Sequence, residues 1–269
     1  MSMNLPGFPA FRRTVLELTG IDLDQYKSTQ LERRLSTIMK RSAVGDLTAY
    51  GLLLRTSPEQ VQAFKDFFTI NVSEWLRNPD KFDELGSRVL PALLGFRRPL
   101  RIWSAGCSNG SEPYSVAMLL AELDPEGQHN LLATDLDEQI LAQARLGVYQ
   151  EKDLKNVSHT RRQRFLSPRP DGSWTVTPAL RSRVTFQRQN LLSDPFPEDL
   201  DLILCRNVVI YFTEPAKEEL YRRFHRALRP DGVLFVGGTE SLLKARELGF
   251  NSPSPFFYRA IKERTAVLK

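Results

Sequence analysis

Between residue 8 and about residue 95, apolar positions recur every three or four places, the spacing of amphipathic helices, and no convincing strand interrupts them. The pattern predicts helices over 9–18, 23–44, 47–55 and 58–70, broken by Gly20, Gly45 and Ser57-Pro58. The last carries a capping box, Ser57 with Gln60, and Pro58 in its first turn, where no N–H is needed. Asn78-Pro79 opens a further helix through Leu85 and Val89 toward Leu94.

After Leu100 the apolar residues gather into short continuous runs, which read as buried strands separated by helices. The run 100–103 gives a first strand, 104–110 a tight loop of small residues, and 112–120 a helix. A second strand lies in 130–141 and ends in acid at Asp135 and Asp137; 184–187, 201–205 and 233–236 give three more, with a helix over 214–228. Phe256-Phe257-Tyr258 supplies a last edge strand. From Tyr149 to about Phe186 the pattern loosens, and Asp171-Gly172 between Phe165 and Trp174 marks a hairpin, so a small antiparallel unit is inserted at about 150–187. Alternating buried strands and helices predict a doubly wound α/β sheet. The expected organisation is an all-helical domain over 1–70 and an α/β domain over 71–269.

Composition narrows the class. The chain has 269 residues, 41% hydrophobic and 26% charged, and no apolar run long enough to span a bilayer or charged-then-apolar leader at Met1, so a cytoplasmic protein is expected. Two cysteines make no disulfide framework, and three scattered histidines lack metal-ligand spacing, so no metal is expected. The net charge of +5 matters only where it concentrates. It does so in the second helix: Arg33, Arg34, Lys40 and Arg41 fall two turns apart, with only Glu32 opposing them. That stripe is either a solvated face or a dock for something acidic, a nucleic-acid backbone or a carboxylate-rich helix; it lacks the aromatics that stack on bases.

The strand-loop-helix at 100–120 carries the first candidate chemistry. Gly106 and Gly110 let the loop turn sharply and let a ligand approach bare backbone, as nucleotide cofactors do at the carboxyl end of a first parallel strand. The spacing is neither G-x-G-x-x-G nor G-x-x-x-x-G-K, which favours a nucleoside without phosphate over NAD or ATP. Asp135, at the end of the second strand, suits two ribose hydroxyls, whereas Asp137 is better placed to cap the next helix. Asn71, Ser73 and Arg77 are polar positions in an otherwise apolar connecting segment.

The combination TINVSEWLRN, WSAGCSNGSEPYSVAM, LATDLDE, QNLL and CRNVVIYF, in this order, resembles the chemotaxis receptor methyltransferase family, CheR, over nearly the whole chain. The resemblance implies a class I methyltransferase sheet, S-adenosylmethionine as donor with S-adenosylhomocysteine as product, and receptor glutamate carboxylates as acceptors. It implies that Asn71, Ser73 and Arg77 surround the donor, that Glu112 and Asp135 bind it, that Asn190 and Leu191 lie near adenine, and that Arg206, Asn207 and Tyr211 complete the site. Ser73 stands where the family has Thr, Trp75 and Leu76 where it has Phe-Phe, and Asn109 and Ser111 where Thr and Glu are common. With methyl-accepting chemotaxis receptors as the partner, the cationic stripe becomes a dock for their glutamate-rich helices, and a monomer in bacterial sensory adaptation is expected.

The chemistry agrees. A sulfonium methyl is electrophilic and a glutamate carboxylate is already an anion at neutral pH, so no general base is required and the missing Ser/His/Asp or Cys/His set is no obstacle. Arg77, with a fork that matches two carboxylate oxygens, is the expected orienter, and Tyr211 is expected near the transferring methyl. Two rivals stand beside this reading. A nucleic-acid amino methyltransferase would carry Asn/Asp-Pro-Pro-aromatic where this chain has Cys205-Arg206-Asn207-Val208, and a donor-binding sensor would not turn over.

Overall fold

The computed structural model describes residues 5–69 and 73–262. The chain divides into two compact units, Met1–Ile70 with Val209–Glu219, and Asn71–Val208 with Leu220–Lys269. The helical unit therefore also holds eleven residues that sequence reading leaves in the α/β domain.

The helical unit contains α1 (Phe8–Thr19), α2 (Ser28–Arg41), α3 (Leu47–Thr56) and α4 (Pro58–Phe68). Several boundaries have a local cause. Gly20 ends α1 at φ 75°, the left-handed conformation glycine adopts without a Cβ penalty, and Asp46 and Ser57 cap α3 and α4 with their side chains. Phe11, Tyr50 and Phe64 close the core, Phe11 lying 5.7 Å from the Tyr50 ring and 6.2 Å from that of Phe64.

The long helix expected over 23–44 is shorter. Leu23–Gln25 is a single 3-10 turn capped by Asp22, Tyr26 is extended, and α2 starts at Ser28. Tertiary pairing overrides helix propensity here: Lys27 N–H donates to the Tyr211 carbonyl at 3.0 Å, Thr213 N–H to the Gln25 carbonyl at 2.8 Å, and Tyr26 forms an antiparallel bridge with Phe212.

The second unit begins with α5 (Pro79–Glu84), a five-residue π turn over Leu85–Val89, and α6 (Leu90–Leu94). The wide turn comes just before Pro91, whose ring cannot sit under a carbonyl four residues back. Among the described residues a seven-stranded sheet follows, with β1 (Arg101–Ala105), β2 (Asn130–Asp135), β6 (Val184–Arg188), β7 (Leu200–Cys205), β8 (Leu228–Val236), β9 (Phe250–Ser254) and β10 (Phe257–Ala260). Its order is β6-β2-β1-β7-β8-β10-β9; the first five are parallel, and β10 runs antiparallel to both β8 and β9. The connecting helices include α7 (Ser111–Leu123), α8 (Glu138–Leu146) and α11 (Glu214–Ala227). Strand β7 is buried at every position, as a central parallel strand must be.

A three-stranded antiparallel sheet, β3-β5-β4, forms the insert from β3 (Val148–Tyr149), β4 (Leu166–Pro168) and β5 (Trp174–Val176), with α9 (His159–Phe165) before β4 and α10 (Pro178–Arg181) after β5. The hairpin at Asp171-Gly172 joins β4 to β5, Gly172 taking φ +81°.

Two features differ from the sequence pattern. The strand around Phe257 is not an edge: β10 lies between β8 and β9 because Phe257 stacks on Phe235, centroids 4.4 Å apart. The edge is β9, which is mostly exposed and carries Pro253, a residue that edge strands tolerate, so it lacks an apolar signature. Strand β8 also starts earlier than expected, taking in the Pro230-Asp231-Gly232 turn where its register against β7 slips.

Asp201, the second residue of β7, is 1% exposed and accepts from both Arg98 Nη atoms, at 2.8 and 2.5 Å, and from Arg101 N–H at 2.8 Å. It ties the entry of β1 to β7. Asp201→Ala leaves a partly buried guanidinium and a strand N–H without their acceptor, and is expected to lower the unfolding free energy by about 3 kcal/mol, measurable by urea denaturation.

Candidate active site

The strand order reverses between β1 and β7, and in open α/β sheets ligands bind at the carboxyl ends of the strands flanking that point. The residues found there come from the loops after β1, β2, β6 and β7. Gly106 leaves β1 at φ +81°, and a Cβ on it would stand 2.5 Å from Val208 Cγ2, so only glycine fits. Its N–H and that of Cys107 both donate to the Thr134 carbonyl, at 2.8 and 2.9 Å, which pins the loop to β2. Gly110, at φ +85°, leads directly into α7, close under Ala144, Tyr114 and Tyr149.

Asp135 faces this loop. Its Oδ2 accepts from Ser108 N–H at 2.7 Å and its Oδ1 from Asp137 N–H at 3.1 Å. Burial raises its pKa above the ordinary aspartate value, and those two backbone donors oppose the rise. Asp137 caps α8, accepting from Gln139 and Ile140 N–H, as its position suggests. Gln189 N–H donates to the Asp135 carbonyl at 2.9 Å, placing Asn190 and Leu191, both buried, beside the end of β2. Asn190 uses its own side chain to accept from Leu192 N–H at 3.0 Å.

Glu112, on the first turn of α7, is buried. Its Oε1 accepts from Ser104 Oγ at 2.8 Å and its Oε2 lies 3.5 Å from Arg206 Nη1. Burial raises its pKa; the Arg206 charge and the Ser104 hydroxyl offset part of that. Arg206, the first residue beyond β7, is 7% exposed and sandwiched by the Phe82 and Phe235 rings at 5.3 and 4.5 Å. Its Nη2 donates to the Arg77 carbonyl and to Asn78 Oδ1, both at 2.8 Å. Burial lowers its pKa, Glu112 opposes this, and the nearby Arg77 cation adds to it.

Arg77 is therefore held through its backbone. Leu76 and Asn78 on either side have φ of 50° and 61°, and Leu76 N–H donates to Ser115 Oγ at 3.0 Å. Non-glycine residues persist in that region only when their surroundings over-determine them. No carboxylate among the described residues pairs with the Arg77 guanidinium. Asn207 takes φ +61° and its N–H donates to Glu240 Oε2 at 2.5 Å; the same oxygen accepts from Gly237 N–H at 2.8 Å.

The structure thus gathers Arg77, Gly106, Glu112, Asp135, Asn190, Leu191, Arg206 and Asn207 in the second unit. Ser73 is half-buried at the start of that unit's described residues, and Asn71 lies outside them. Tyr211 belongs to the helical unit, on a 3-10 turn over Val209–Tyr211. The four stripe cations divide into two kinds: Arg33, Lys40 and Arg41 are exposed, but Arg34 is half-buried and bonded to the end of α4. Residues 33 and 34 lie about 100° apart on a helix, so the pairs 33/40 and 34/41 face different ways.

Two polar residues that the motifs did not single out, Ser108 and Gln189, belong to the same loops as Asn207. Ser108 Oγ, Gln189 Oε1 and Asn207 Oδ1 are buried and have no hydrogen-bond partner among the described residues. Orphaned polar atoms at the ends of β1, β6 and β7 fit a polar ligand seated across them. Sequence offers no signal for Ser108 or Gln189 beyond their position at strand ends.

Residues 71–255 match the SAM-binding domain of the CheR methyltransferase family, and residues 6–69 match its all-alpha domain. The chain belongs to the CheR methyltransferase family. It is 38% identical over 252 residues to the chemotaxis protein methyltransferase of Listeria monocytogenes, covering 92% of this chain and 95% of the relative. The identity is 35% to chemotaxis protein methyltransferase 1 of Pseudomonas aeruginosa, over 90% of this chain and 92% of the relative, and 32% to the chemotaxis protein methyltransferase of Borreliella burgdorferi, over 88% of each. No helix among the described residues is long and apolar enough to cross a membrane.

The raised Glu112 pKa has a sign that can be measured in this CheR protein. A carboxyl that holds its proton more tightly when folded favours the fold below its unfolded pKa, and loses that contribution as pH rises through the folded value. Glu112→Gln, neutral at every pH, is therefore expected to match the wild type best near pH 4. The wild type then loses stability relative to the variant as pH rises above that, read by urea unfolding of both proteins across the series.

Proposed function

We propose that this protein transfers a methyl group from S-adenosylmethionine to glutamate side-chain carboxylates of chemotaxis receptors, giving glutamate methyl esters and S-adenosylhomocysteine. The observation that carries the reading is the bare-backbone loop at Gly106 facing a desolvated Asp135, at the switch point of a CheR-family sheet. It is a seat for a nucleoside with two ribose hydroxyls and no phosphate, and the orphaned Ser108, Gln189 and Asn207 atoms suit such a ligand.

When bound, the donor supplies a sulfonium-activated methyl group. The protein's own residues then orient and exclude water. Asp135 holds the ribose diol, and Asn190 and Leu191 flank the adenine. Glu112 keeps lone pairs free beside the Ser104 and Arg206 contacts and receives the donor's ammonium group. Arg206 and Asn207 shape the floor, Arg206 chiefly by fixing Arg77. Arg77, with Asn71 and Ser73 completing its segment, meets the incoming carboxylate with a guanidinium that no carboxylate among the described residues pairs. A light or single-oxygen contact serves best, since a tight bidentate grip would blunt the nucleophile. The acceptor needs no general base, because glutamate is ionised at neutral pH. Tyr211 is assigned to placing the methyl group. Alignment and water exclusion are effects worth roughly 7–11 kcal/mol when geometry is well fixed.

The exposed cations Arg33 and Lys40, which share one face of α2, are the dock for a glutamate-rich receptor helix on the cytoplasmic side of the membrane, while Arg41, like Arg34, lies over the Phe67 ring. Charge reversal at Arg33 and Lys40 together is expected to raise KM for a receptor fragment about tenfold, more at low salt than high, with donor affinity by calorimetry unchanged.

Arg77→Ala is expected to lose about a hundredfold or more in methyl transfer while still binding S-adenosylhomocysteine, and Asp135→Asn to weaken that binding at least about tenfold. The reaction itself is checked by mass spectrometry of a receptor cytoplasmic fragment after incubation with donor. A gain of one methylene on glutamate is expected; transfer to tRNA or DNA instead, or donor binding with no transfer at all, removes the assignment.

A further inference from the structure

Helical spacing groups Arg34 with the exposed cations of α2, but its guanidinium turns toward the end of α4. Nη2 donates to the carbonyls of Phe67 and Phe68, the second at 2.9 Å, and the guanidinium lies over both rings, 5.1 and 5.5 Å from their centroids. The last carbonyls of a helix have no partner within it and carry partial negative charge, so a cation there holds the helix end in place. The contact continues outward through rings. Phe68 meets Tyr26 edge-on at 4.7 Å, and Tyr26 meets Phe212 edge-on at 5.2 Å.

Phe212 directly follows Tyr211, and the backbone around both is clipped to the residues that lead into α2. Lys27 N–H donates to the Tyr211 carbonyl, Thr213 N–H to the Gln25 carbonyl, and Tyr26 bridges Phe212. Burial lowers the Arg34 pKa, and charge interactions with Tyr211 and Tyr26 oppose it, so both phenols lie within electrostatic reach of the guanidinium. All of these groups belong to the helical unit.

We infer that Arg34 is a positioning residue: from the end of α4 it braces Phe68 and Tyr26 against Phe212 and so fixes Tyr211. Helix α2 then serves the reaction in two ways, presenting Arg33 and Lys40 to the acceptor and, on its other side, holding the tyrosine assigned to methyl placement. The inference rests on the proposed role of Tyr211.

The test uses the full chain with a receptor cytoplasmic fragment. Arg34→Ala is expected to lower kcat roughly ten- to a hundredfold, the penalty of a misplaced group, with KM for the fragment near wild type. The loss is expected to vanish when Tyr211 is already Phe, as it must if Arg34 acts through that ring. In fluorine NMR, the resonance of a fluorotyrosine at 211 should move in Arg34→Ala and stay in place in the exposed neighbour Ser36→Ala. If Arg34→Ala does not fold, Arg34→Lys, which keeps the cation but cannot span two carbonyls, and Tyr26→Leu carry the same measurements. A raised KM with intact kcat, a kcat loss additive with Tyr211→Phe, or an unmoved resonance overturns the positioning role. A wild type that methylates no receptor fragment overturns only the proposed reaction, because the resonance is read without turnover.

Discussion

One buried cation holds the candidate site together. Arg206 leaves β7 between two phenylalanine rings and reaches Glu112 on α7, the Arg77 carbonyl and the Asn78 side chain. Taking a guanidinium out of water is costly, and a single 3.5 Å ion pair does not recover the cost; the carbonyl, the amide and the ring faces are needed as well. Loss of any one partner would therefore be felt at the others. That interdependence explains how Arg77 can sit between two residues of positive φ, a conformation that persists only when the surroundings dictate it.

Electrostatics around that cation have a consistent direction. Burial raises both Glu112 and Asp135 and lowers Arg206, so each is held in the ionic form less comfortably than in water. A ligand that brings hydroxyl donors and a positive centre relieves the two buried carboxylates that desolvation penalises. Destabilised charge at the carboxyl edge of the sheet is thus a stored preference for a polar, cationic nucleoside, in line with the SAM-binding domain to which residues 71–255 match.

The helical unit obeys a different constraint. Its core is aromatic, and its boundary is set by pairing between residues 25–27 and 211–213, which ends the expected long helix and recruits a segment far along the chain. Packing against the end of α4 makes Arg34 and Arg33 unlike neighbours. Sequence periodicity sees two adjacent arginines; packing turns one toward the α4 carbonyls and leaves the other in solvent.

The sequence by itself determined the parts governed by local rules: the caps at Ser57 and Asp137, the glycine loop at 106–110, the central buried strands and the inserted hairpin. Strand ends and helix starts obey nearest-neighbour chemistry, so their residue types betray them. Only the tertiary structure decided what depends on distant partners. It put β9 at the edge with no apolar signature, gave 209–219 to the helical unit, made Arg206 the anchor of Arg77, and left polar atoms of Ser108, Gln189 and Asn207 at the strand ends without a partner among the described residues. Those outcomes turn on which groups meet after folding, and residue type or spacing along the chain carries no record of them.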